Sequence, residues 1–115
     1  MEKMVYPKDS PIGEDYDIVV TQKGNSIKMN NRTPRTYTNA QLWLNQQYVR
    51  TVGEITIGNS ILSNRFELDK FFSQHAEHFP TGGLLSPDKG QLVVLAEIFD
   101  PVSGQRHRLL VRPKE

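Results

Sequence analysis

The sequence predicts an α+β domain: five to seven short antiparallel strands in a small twisted sheet or partly closed barrel, with one amphipathic helix over about residues 65–79. Three observations lead there. Short runs rich in β-branched residues recur between turn signals along most of the chain. From Asn64 to Pro80 the apolar residues fall instead at helical spacing. The chain has 115 residues and no cysteine, so it builds one core without disulfides or thiolate metal sites.

Residues 1–15 are polar and broken by Pro7, Pro11 and Gly13, which predicts a partly ordered tail before a single globular domain over 16–115. Residues 16–21 read as the first strand. Gly24 and Asn25 suit a turn with positive φ, and residues 26–30 return with Ile27 and Met29 inward. Asn31 to Pro34 is a loop, where Pro34 restricts the residue before it to extended backbone. Residues 40–44, 48–52 and 54–58 follow as strands, separated by the polar Asn45, Gln46 and Gln47 and by Gly53.

The helix rests on a capping pattern and a stripe. Asn64 serves as N-cap with Glu67 three residues later. At about 100° per residue, Leu68, Phe71, Phe72, His75 and Phe79 share one face. Asp69, Lys70, Ser73, Gln74 and Glu77 share the other, and Pro80 with Gly82 and Gly83 stops the helix. Three phenylalanines, each burying about 150–250 Å², make this face the expected centre of the core. Residues 81–90 form a loop. The apolar run over 91–99 reads as a strand covered on both faces or central in the sheet. Residues 106–112 return after a turn, with His107, Leu109 and Val111 on one face and Arg106, Arg108, Leu110 and Arg112 on the other.

Charge narrows the function classes. Fourteen Lys and Arg against thirteen Asp and Glu leave a formal charge of +1, which argues against general polyanion binding as the main role. No apolar run approaches the roughly 20 residues that span a bilayer, and the start lacks the apolar region of a signal peptide. The expectation is a cytoplasmic protein without a membrane partner.

Between Thr36 and Asn64 only Arg50 and Glu54 carry charge. Such a stretch is central in the fold or covered by a partner. Within it, Trp43 faces opposite Leu42 and Leu44, so Trp43 with Tyr48 is the candidate anchor for a protein partner or a second copy. Lys28, Arg32, Arg35, Arg106, Arg108 and Arg112, with Lys23, are candidates for a cationic surface. His75, in the middle of the apolar stripe, is a candidate buried histidine tuned by its surroundings. His75, His78 and His107 lack the flanking signature of a metal site, so neither metal nor cofactor is implied. The glycines stand in no phosphate-loop setting, and no nucleophile–histidine–acid set is defensible from spacing. Asn31, Arg32 and Thr33 match a glycosylation sequon, which bears on function only in a secreted eukaryotic protein.

The favoured expectation is a non-catalytic protein-binding or assembly module. Two alternatives stand beside it: a nucleic-acid-binding module using Arg106, Arg108 and Arg112, and a small-ligand-binding protein or enzyme with a pocket at His75.

Overall fold

The computed structural model describes residues 4–81 and 90–113. Eight strands follow the chain: β1 (Ile18–Lys23), β2 (Ser26–Asn31), β3 (Tyr37–Leu44), β4 (Tyr48–Ile55), β5 (Arg65–Glu67), β6 (Ala96–Asp100), β7 (Gln105–Arg108) and β8 (Leu110–Arg112). They form two four-stranded sheets, in the orders β5-β2-β1-β8 and β4-β3-β6-β7. The α+β expectation is therefore overturned. Among the described residues there is no α-helix, and neither sheet closes into a barrel.

The inner faces meet as a β-sandwich. Ile18, Val20, Ile27 and Met29 from the first sheet share one buried cluster with Leu42, Leu44, Val52 and Ile98 from the second. The chain crosses between sheets after β2, β4, β5 and β7, so that β5 lies beside β2 and β6 beside β3. This interlocking is the Greek-key solution for covering two apolar faces at once.

Turn chemistry fixes the first two hairpins. Gly24, at φ 58°, turns β1 into β2. Asn45 and Gln46, at φ 54° and 57°, make the tight turn between β3 and β4 that suits the strand twist. Asn39 lies inside β3 at φ 49°. Strict alternation would send Tyr37 and Ala40 to opposite faces. The left-handed residue rolls the strand over, so both Tyr37 and Ala40 pack against the core, as do their partners Ile55 and Val52.

The expected helix is the main correction. Arg65–Glu67 is a strand paired with β2, and Leu68–Lys70 is one 3-10 turn. Residues 71–79 then double back as a tight hairpin. The Phe79 N–H donates to the Phe71 carbonyl at 2.8 Å, and the Ser73 N–H to the Glu77 carbonyl at 2.8 Å. Phe72 exchanges both backbone hydrogen bonds with Val49, covering part of the β4 edge. Leu68, Phe71 and Phe79 are buried as the stripe predicted, but Phe72 and His75 are exposed. The helix stop assigned to Gly82 and Gly83 lies outside the described residues.

Two further readings change. The run over 91–99 is not one central strand. β6 begins at Ala96, and before it only Val93 is buried while Leu92, Val94 and Leu95 face solvent. Buried Gln22 bonds the Gln91 carbonyl and the Val93 N–H, and Asn45 bonds the Leu92 carbonyl and the Val94 and Leu95 N–H groups. Side-chain amides thus replace the ladder of a neighbouring strand. The segment over 106–112 also breaks in two. Buried Leu109 carries the chain from the second sheet into the first, where β8 runs parallel to β1.

The N-terminal segment lies on the outer face of the second sheet. Gly13 and Pro11 exchange backbone hydrogen bonds with Arg106. The Tyr6 ring sits edge-on to Trp43 at 5.4 Å between centroids.

Candidate functional site

Two buried asparagines organise one end of the sandwich. Asn31, 1% exposed, ends β2. Its amide donates to the Arg35 and Ile55 carbonyls, and its oxygen accepts from the Thr33 N–H and hydroxyl. Asn64, also 1% exposed, precedes β5. Its oxygen accepts from the Thr56 N–H and hydroxyl, and its amide donates to the Thr56 and Gly58 carbonyls. A backbone bridge between Asn31 and Gly58 joins the two sets. The loops over 32–36 and 56–64 are thereby fixed to each other and to the sheets, with their buried polar groups satisfied.

What these loops display is apolar. Ile57, Ile61 and Leu62 are 55%, 63% and 97% exposed. On the turn between β6 and β7, Val102 is 95% exposed. A groove of about 350 Å³ runs between that turn and the start of β3, lined by Tyr16, Tyr37, Asn39, Asp100 and Val102 among others. Its aromatic floor is already stacked. Tyr16 lies between His107 at 4.1 Å and Tyr37 at 4.9 Å, and the Arg35 guanidinium covers Tyr37 at 5.3 Å. Burial pushes the Tyr16 hydroxyl pKa up. The Val102 N–H bonded to the Asp100 carboxylate holds that group below the usual range, so Asp100 presents a charge.

The residues singled out in the sequence are dispersed. Trp43 is 1% exposed beneath Tyr6 and donates its indole N–H to Gln41. Tyr48 is 6% exposed and packs edge-on against Phe79. Neither is open to solvent, because the N-terminal segment and the 71–79 hairpin cover them. Arg106 is 9% exposed and lies against buried Glu97 at 3.5 Å, also donating to Tyr6 and to the Ser10 carbonyl. Arg108 is exposed on β7, whereas Arg112 belongs to β8 in the other sheet, so the three arginines do not form one face. Arg32 pairs with Asp17 at 2.5 Å. Lys28 remains on the outer face of the first sheet. His75 stands exposed on the hairpin turn beside an open groove shared with Tyr6 and Gln47, not in a buried pocket. The three histidines do not converge, and among the described residues no three metal-ligating side chains cluster. No helix there is long and apolar enough to cross a membrane.

Sequence reasoning missed the clamps and the loop apices. The sequence pattern predicts a helix cap at Asn64, whereas its side chain bonds backward to Thr56 and Gly58. Ile57 was placed inside a strand, but β4 ends at Ile55.

The covered face supplies a pH response. The Tyr6 hydroxyl donates to Glu97 Oε1 at 2.5 Å. Burial first, and then that bond, raises its pKa above the ordinary phenol value. A raised folded-state pKa means this contribution to stability is complete below about pH 10 and is lost as pH rises through the raised value. Trp43, the single tryptophan, should therefore change fluorescence as alkali ionises Tyr6 and loosens the segment above it. Tyr6→Phe should remove that step, and an unchanged alkaline transition in the variant contradicts the assignment.

Comparison with protein-family models, curated proteins and solved structures finds no match.

Proposed function

We propose that this chain is a non-catalytic protein-binding module that engages its partner through the loop end of the sandwich. The observation that carries the reading is the pairing of rigidity with exposure. Asn31 and Asn64 hold the loops over 32–36 and 56–64 in one arrangement, and Leu62 on the second of these, with Val102 on the neighbouring β6–β7 turn, are the most exposed large apolar groups described. Preorganised loops lose little entropy on binding, and apolar side chains on a rigid scaffold supply the anchors that protein interfaces need. Arg35 and Asp100 add charges of both signs beside them, as at the rim of an interface.

The test compares quantitative affinity capture by the wild type, by Leu62→Asp, and by Phe72→Asp at an exposed position on the opposite hairpin. Sedimentation over a concentration series tests whether a second copy is the partner. Partners, or the self-association, should persist with Phe72→Asp and fall at least tenfold with Leu62→Asp. Equal capture by both variants removes the loop end from consideration. The nucleic-acid alternative through Arg106, Arg108 and Arg112 draws no support from these positions, since Arg106 is buried and paired.

A further inference from the structure

The outer face of the first sheet carries a separate charge pattern. Strand register sets Arg65 of β5 beside Lys28 of β2, Lys28 beside Thr21 of β1, and Thr21 beside Arg112 of β8. At about 4.8 Å between strands, this row spans roughly 14 Å. Alternation puts these residues on the side away from the core, since Phe66, Ile27, Val20 and Val111 pack inward. Lys23 lies on the same face one row away, in register with Ser26, which is opposite Glu67. Among the described residues the ion pairs are Arg32–Asp17 and Arg106–Glu97, so none of these four cations is paired with a described carboxylate. Arg65 donates only to the Ser26 hydroxyl at 3.1 Å. Like charges directly opposite each other on neighbouring strands weaken a sheet, and an anion laid across the row would relieve that repulsion.

We propose that this face binds the phosphate backbone of double-stranded nucleic acid, without sequence preference. Three features select that occupant. The group between Lys28 and Arg112 in the row is Thr21, a hydroxyl side chain of the kind that with Arg and Lys makes most phosphate contacts. Among the described residues the face has no aromatic side chain, so it offers no platform for the unstacked bases of a single strand. Among the described residues it also lacks the aromatic and apolar anchors of a protein interface, having only half-exposed Leu110 beside buried Val19. A flat polar row suits a rigid, regularly charged rod. The chain's net charge of +1 keeps such binding weak, in the range of about 10⁻⁴–10⁻⁶ M typical of non-specific contacts.

The experiment is fluorescence anisotropy of a labelled random-sequence 20-base-pair duplex titrated with the chain. With four phosphate contacts, affinity should fall about 100-fold between 50 and 200 mM salt, a log–log slope near −3.6. Lys28→Gln with Arg65→Gln should reduce that slope by about two and weaken binding at 50 mM salt, with the far-ultraviolet dichroism unchanged. Arg108→Gln, on the other sheet, and Leu62→Asp, at the loop end, should leave it unaltered. That last control separates this face from the proposed protein site. No duplex binding at 50 mM salt, a slope indifferent to the double variant, or tighter binding to phosphatidylserine vesicles or polyglutamate than to the duplex would each overturn the proposal.

Discussion

Replacing Arg106 with Ala is expected to lower folding stability by about 3–5 kcal/mol. Glu97, 3% exposed on β6, lies diagonally from Arg106 on the outer side of the second sheet. One of its oxygens accepts from Tyr6, and the other, Oε2, has no hydrogen-bond donor and lies 3.5 Å from the Arg106 guanidinium. Without Arg106 a buried carboxylate loses its counter-charge. The Ser10 carbonyl and the Tyr6 hydroxyl lose a donor at the same time. The cost arises from the stranded charge more than from any intrinsic strength of the pair. Arg106→Met combined with Glu97→Leu should therefore recover most of the loss. Urea unfolding followed by Trp43 fluorescence measures both, because Trp43 lies under the same segment. A single-variant loss below about 1 kcal/mol, the scale of an exposed pair, would show that water already solvates Glu97.

Phe79→Ala should cost a similar amount, about 3–5 kcal/mol, which lowers the thermal midpoint by roughly 10–20 °C. Phe79 is fully buried, meets Tyr48 at 5.0 Å between centroids, and is held in place by its N–H bond to the Phe71 carbonyl. Phe72→Ala, at a ring 37% exposed, should cost far less, and His75→Ala almost nothing. The contrast separates two backbones for one segment. On a helix, Phe72 and His75 would share the buried stripe with Phe79 and all three substitutions would hurt. On the hairpin only Phe79 matters. Calorimetry of the three variants decides between them.

The reason the helix was misread lies in residues 64–69. Their apolar positions satisfy two periods at once. Phe66 and Leu68 alternate with Arg65, Glu67 and Asp69, a strand pattern, while Leu68, Phe71, Phe72 and Phe79 also fit a helical arc. Local propensity favoured neither strongly, since Asn, Ser, His and Phe are middling helix formers. Pairing with β2 settled the choice, and that partner lies almost forty residues earlier in the chain, beyond any local pattern. Hairpins with their turn residues nearby were legible: β1 with β2 around Gly24, and β3 with β4 around Asn45 and Gln46. Burial of Phe71 and Phe79 was legible too, because apolar rings seek the core in either backbone.

The candidate sites were harder to read for a related reason. Trp43 and Arg106 look surface-bound on strands that alternate, and they do lie on the outer face. What hides them is the N-terminal segment, whose docking depends on Tyr6 meeting Glu97 across 91 positions. Arg65 was hidden by its assignment to a helix, which left the cationic row one member short. Asn31 and Asn64 resemble ordinary turn residues. Only the folded loops reveal that each amide bonds to several backbone groups at once.

The parallel pairing of β8 with β1 has a mechanical corollary. Tension drawn through the residues before Ile18 and after Arg112 would slide these two neighbours past each other along their length. Their cross-links would then share the load and yield together, whereas the hairpin of β1 and β2, loaded from its open end, would unzip one bond at a time. A chain closed in this way resists stretching at its margins before its interior is disturbed.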